Sequence, residues 1–128
     1  MKAPFDWTSG PLAEGLHCYR TRQFFEAHEH WEAVWLTLHE PEKSFLQSLV
    51  QISAAFHHLR RGNRIGAISL LTRALSRLER ANPQFCSLDV ALLRDQVRNW
   101  LSVIRTGSAN LPSTYPEFRV LDESTSCA

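Results

Sequence analysis

The string His28-Glu29-His30-Trp31-Glu32 is where this 128-residue sequence concentrates groups able to do chemistry. Imidazole and carboxylate are the side chains that ligate divalent metals and move protons near neutral pH. At about 100° per residue, His28 and Glu32 stand one helical turn apart, roughly 40° from each other, and Phe24, Phe25, Trp31 and Trp35 fall within roughly 60° of His28. His28 and Glu32 are therefore expected on a buried aromatic face, with Glu29 at its edge and Glu26 and His30 on the solvated side. A buried carboxylate is costly unless it is paired or binds a metal, so Glu32 requires partners.

The following segment offers them. Gln47, Gln51 and His58, spaced by four and seven, form one polar stripe along an otherwise apolar helix and are expected to face His28 and Glu32, with Asn63 close by. Two chemistries fit this set. In one, His28, Glu32 and His58 ligate a divalent transition metal inside a helical bundle, and Glu29 serves as general base for a metal-activated water in a hydrolysis. The His-Glu-x-x-Glu string lacks the second histidine of the His-Glu-x-x-His zinc motif. In the other, the same residues with Gln47, Gln51 and Asn63 are a metal-free hydrogen-bond network that docks the helices, and the chain is a non-catalytic ligand-binding or protein-interaction module. On that reading His28→Ala is expected to cost a few kcal/mol, because Glu32 loses a buried partner.

Positioning these residues takes helices. Ser9 before Pro11 marks a first helix to about Arg20, weakened by Gly15. Apolar spacing predicts a second from Phe24 to about His39, stopped by Pro41, and a third from Ser44 to Arg61 that is apolar on nearly every side and so central. Gly62-Asn63 supplies a stop and a cap for a fourth, Arg64 to Ala81, ended by Asn82-Pro83. Leu88-Asp89 opens a fifth, which runs to Arg105 before Gly107. No strand signal is present, and no period of about 34 residues marks a helical repeat. The expected architecture is all-α: a single-domain bundle of about five helices over 1–107, with an extended C-terminal tail over 108–128 packing Leu111, Tyr115 and Phe118 onto it.

Composition narrows the function classes. With 44% hydrophobic and 21% charged residues the chain reads as an ordinary globular protein, and no apolar run approaches the roughly 18 residues of a membrane span. Without the apolar stretch of a secretory signal at its start, it is expected in the cytoplasm, with Cys18, Cys86 and Cys127 as thiols. A net charge of +1 argues against a dedicated nucleic-acid binder, and the Arg73, Arg77 and Arg80 stripe reads as a solvated face. Glu26, Glu29, Glu32, Glu40 and Glu42 crowd the first half and Arg60 to Arg80 the middle, a division expected to pair helices within the fold. The partner is an unknown small molecule or protein, and the four tryptophans allow a homodimer.

Phe24-Phe25-Glu26-Ala27-His28-Glu29 with Glu32 and Trp35, then Phe45-Leu46-Gln47-Ser48-Leu49-Val50-Gln51, His58, Gly62-Asn63 and Gly66-Ala67, resembles the prokaryotic family called domain of unknown function 309. The likeness spans roughly Leu12 to Leu78, with Ser48 where the family usually has glycine. It implies an all-α fold. It also implies a predicted metal-dependent hydrolase, with Glu26, His28, Glu29, Glu32, Gln47, Gln51, His58, Asn63 and Gly66 as the matched positions.

Overall fold

Helical periodicity becomes five helices in the computed structural model, which describes residues 5–121: α1 (Gly10–Arg20), α2 (Phe24–Trp35), α3 (Glu42–Arg60), α4 (Arg64–Glu79) and α5 (Val90–Arg105). Between α4 and α5 lies a hairpin of two short strands, β1 (Gln84–Phe85) and β2 (Leu88–Asp89). The protein is a mostly α-helical single domain. No described helix is long and apolar enough to cross a membrane.

α3 is the central element, packing on α2 on one side and α4 on the other, while α1 covers α2 and α5 covers α4. Its all-round apolarity explains the placement, since Leu46, Leu49, Ile52, Ala55 and Phe56 are fully enclosed. Asn63 and Asp89 cap α4 and α5 as expected, their carboxamide and carboxylate oxygens accepting from the Gly66 and Leu92 amides. Ser9 behaves differently: its hydroxyl donates to the Asp6 carboxylate and caps nothing. α2 ends at Trp35, short of His39, because the Thr37 amide and hydroxyl both donate to the Val34 carbonyl and tighten the last turn. α3 begins at Glu42, before Ser44, and the Glu40 carboxylate accepts the Ser44 amide.

The turns between α1 and α2 and between α3 and α4 are built alike. Gln23 N donates to Cys18 O and Arg22 N to Tyr19 O; Asn63 N donates to His58 O and Gly62 N to Leu59 O. Each is a Schellman stop whose pivot residue is left-handed. The pivots are Gly62 at φ 83° and Arg22 at φ 66°. Arginine there costs about 1 kcal/mol that glycine does not.

The hairpin is the element the sequence did not reveal. Cys86 and Ser87 form its two-residue turn with φ of 53° and 64°, a conformation usually announced by Asn-Gly. Burial pushes the Cys86 thiol up to about 12, with Glu42 adding to the shift. The C-terminal segment is anchored here, with Asp89 N donating to Arg119 O and Leu121 N to Ser87 O. Phe118 is buried as expected and Tyr115 half-buried, whereas Leu111 is exposed. Residues 122–128 of the expected tail, and Cys127 with them, lie outside the described residues.

Tyr19 fastens this segment to α1, its hydroxyl donating to the buried Pro116 carbonyl at 2.7 Å. Tyr19→Phe strands that carbonyl and is expected to lose about 1–2 kcal/mol. Burial also holds the Tyr19 phenol well above its ordinary range. The folded state therefore keeps a proton that the unfolded chain releases above about pH 10, so this contribution is present below pH 10 and is lost as pH rises beyond it. Denaturant titrations at pH 8 and pH 11 should show a smaller alkaline loss in Tyr19→Phe than in the parent.

Candidate functional site

On α2 the buried positions are Phe24, Ala27 and Trp31. The centre of the face these three define lies roughly 70° from His28 and roughly 110° from Glu32. Glu32 is consequently not buried: its side chain is 55% exposed, against 26% for His28, with His28 Nε2 at 3.6 Å from Glu32 Oε2. Phe25, also expected inside, is 48% exposed. An ion pair this open to solvent contributes about 0–1 kcal/mol, so the few kcal/mol expected of His28→Ala shrink accordingly. Glu29 is exposed on the far side of the helix.

Phe25 instead bridges imidazoles. Its ring lies stacked on His28 at 6.1 Å between centroids and 5.4 Å from His57, which stands 5.9 Å from His58. Burial, then the Arg61 and His58 charges, lowers the pKa of His57 and favours its neutral form. Sequence reasoning assigned no role to His57; its adjacency to His58 was the available signal.

His58 belongs to the α3–α4 corner. Asn63 Nδ2 lies 3.2 Å from His58 Nδ1, while Asn63 Oδ1 accepts the Gly66 amide at 3.0 Å. That contact has the Asn63 amide donating, so the neutral imidazole carries its proton on Nε2. A Cβ on Gly66 would come within 2.6 Å of Asn63 Nδ2, which is why this first turn of α4 needs glycine. His58, Asn63 and Gly66 thus form one interlocked corner.

Gln51 is only 6% exposed, and its Oε1 and His28 Nδ1 are buried polar atoms without a hydrogen-bond partner among the described residues. α2 and α3 run antiparallel, with Phe24 packed on Phe56 and Lys43 over Trp35. His28 lies four residues in from Phe24 and Gln51 five in from Phe56, so both stand roughly 6–8 Å along the seam from the same end. Gln47 is half-buried further along α3.

His28 and Glu32 are therefore paired, His58 and Asn63 are paired elsewhere, and Glu29 stands apart. Among the described residues no three His, Cys, Asp or Glu side chains are grouped as metal ligands would be. His28, Glu32 and His58 are accordingly not gathered around one point. The acids of the first half do not form ion pairs with the arginines of the middle either; the described pairs are His28 with Glu32, His30 with Glu14, Arg98 with Glu79 and Asp95, and Arg119 with Glu117. Long side chains at the outer ends of separate helices stay in water, and only the Arg77 and Lys43 charges, behind the Ser44 hydrogen bonds, act on Glu40 to lower its pKa.

Fold and site together define a small all-α domain of two helical hairpins closed by a fifth helix, with a polar seam along α2 and α3. Residues 12–70 match the family described as Domain of unknown function (DUF309), and this stretch, α1 through the first half of α4, is a member of that family. A comparison with the curated proteins gives no match.

Proposed function

We propose that the chain is a non-catalytic helical binding module, for a small ligand or a protein segment, in which His28, Gln47, Gln51, His58 and Asn63 serve to dock α2, α3 and α4. The observation that supports this is the α3–α4 corner, where His58 is engaged by the same Asn63 side chain that caps α4. Asn63→Ala removes both contacts and is expected to lower stability by about 1 kcal/mol in urea titration. Elemental analysis of protein purified without a His tag or chelator, after exposure to zinc, manganese, iron and nickel, is expected to give the same substoichiometric metal in the parent and in His28→Ala/Glu32→Ala.

A second reading, metal-assisted hydrolysis with His28, Glu32 and His58 as ligands and Glu29 as base, has the unpartnered His28 Nδ1 and Gln51 Oε1 in its favour. One equivalent of metal in the parent, lost in the double variant, would establish it and overturn the first.

A further inference from the structure

The net charge of +1 conceals a segregation of charge along the bundle. The ends of α1, α3 and α5 and the starts of α2 and α4 meet at one end, where Arg60 Nη1 donates to the Arg22 carbonyl at 2.6 Å and a Cβ on Gly107 would come within 2.9 Å of Arg64 Nη1. Exposed arginines follow one another across it. Arg119, Arg20 and Arg22 line a cleft of about 520 Å³ beside the C-terminal segment, Arg60 and Arg61 stand where α3 ends, and Arg64 opens α4.

Two carboxylates stand close: Glu117, paired to Arg119 at 3.8 Å, and Glu26 in the first turn of α2. Among the described residues, none of Arg20, Arg22, Arg60, Arg61 and Arg64 has a carboxylate within ion-pair distance. Packing holds several of these side chains. Arg20 Nη2 donates to the Phe118 carbonyl, and Arg22 and Arg60 lie over the Tyr115 and Phe24 rings at 5.2 and 5.7 Å. The helix dipole also favours Arg20 and Arg60 as the last residues of α1 and α3. Such contacts fix the guanidiniums without neutralising them, so the charges sum to one positive field over this end.

We propose that this end of the bundle is a track for the phosphate backbone of single-stranded nucleic acid. Each guanidinium keeps free N–H donors in the fork that matches phosphate oxygens. Neighbouring helix axes lie about 8–10 Å apart, so the path from α1 past α3 to α4 runs roughly 20–30 Å, the order of the shorter single-strand sites of about four nucleotides. A flexible phosphate chain can enter the cleft that holds Arg20 and Arg22, where the flat face of a bilayer cannot. A protein interface is built on a packed apolar centre. Here the exposed apolar side chains, Phe25 on α2 and Ile65 on α4, lie on helices that flank α3 from opposite sides and form no such centre. The track goes beyond the binding-module reading and does not rest on it.

Fluorescence anisotropy of a labelled twenty-nucleotide oligothymidylate, titrated with the full chain, tests the proposal. Binding is expected to be micromolar at 50 mM salt, and log K should fall with log salt at a slope of about −2 to −4, the release expected of about three to five phosphate contacts. Arg61→Gln/Arg64→Gln, at two exposed positions, should weaken binding at least tenfold and make the slope shallower, with the melting temperature unchanged. Arg73→Gln/Arg80→Gln removes the same charge from the exposed face of α4 and should bind within twofold of the parent. The proposal is overturned if the strand does not bind at 50 mM salt, if the first variant binds as well as the parent, or if the second loses as much as the first. It is also overturned if polyglutamate, or vesicles containing phosphatidylserine, bind as tightly as the strand, since the surface would then serve an acidic protein or a membrane.

Discussion

Phe56→Ala is expected to lower the unfolding free energy by about 3–5 kcal/mol, a large part of what a domain of this size has in hand. The ring is fully buried on the central helix and meets three others, Phe24 on α2 at 5.7 Å, Trp100 on α5 at 4.9 Å and Tyr115 of the C-terminal segment at 4.9 Å. Truncation removes the transfer free energy of the ring and leaves a cavity lined by aromatic groups too large to collapse into it. Urea unfolding followed by tryptophan fluorescence reads the loss directly. A change below about 1 kcal/mol would mean that α5 and the C-terminal segment do not meet α3 in this way.

Gly15→Ala is expected to destabilise the fold by about 2–3 kcal/mol, opposite in sign to its helix propensity. Within an exposed helix the same change would gain up to about 1 kcal/mol. Here the added methyl would sit 2.6 Å from Trp31 Cδ1 and 2.8 Å from Cε2, closer than carbon atoms approach one another. Trp31 has nowhere to go: it is fully buried, its Nε1 donates to the Leu12 carbonyl, and Trp7, Tyr19 and Phe118 pack around it. Overpacking of a rigid indole outweighs the gain in helix propensity. A melting temperature at or above the parent's would show that α1 and α2 are not this close.

The helices were legible because their signals are local. Phe24 to Trp35 and Leu92 to Ile104 carry helical spacing, and Asn63 and Asp89 are capping residues that cap. What failed was the rotation of α2. Counting aromatic side chains placed His28 at the centre of the buried face, but close approach of helices selects small residues. Ala27 is fully enclosed beside Trp31, so Glu32 and Phe25 were carried to the surface. The hairpin at Cys86-Ser87 was missed for a related reason, since its turn is held by the C-terminal segment rather than by glycine.

The candidate site divides in the same way. His28 with Glu32, and His58 with Asn63 and Gly66, are neighbours along the chain, and spacing alone brings each set together. Whether those sets converge depends on how α2 sits against α3, which is set by the volumes of Ala27, Gly15 and Trp31 and by no local pattern. The docking of the C-terminal segment on α1 and the hairpin was beyond sequence reasoning altogether, because nearly a hundred positions separate Tyr19 from the Pro116 carbonyl it holds. The sequence by itself determined the class of fold, the helices and their caps, since these depend on periodicity and turn chemistry within a few residues. The tertiary structure decided which faces are buried and which charged groups meet, because those depend on packing between segments far apart in the chain.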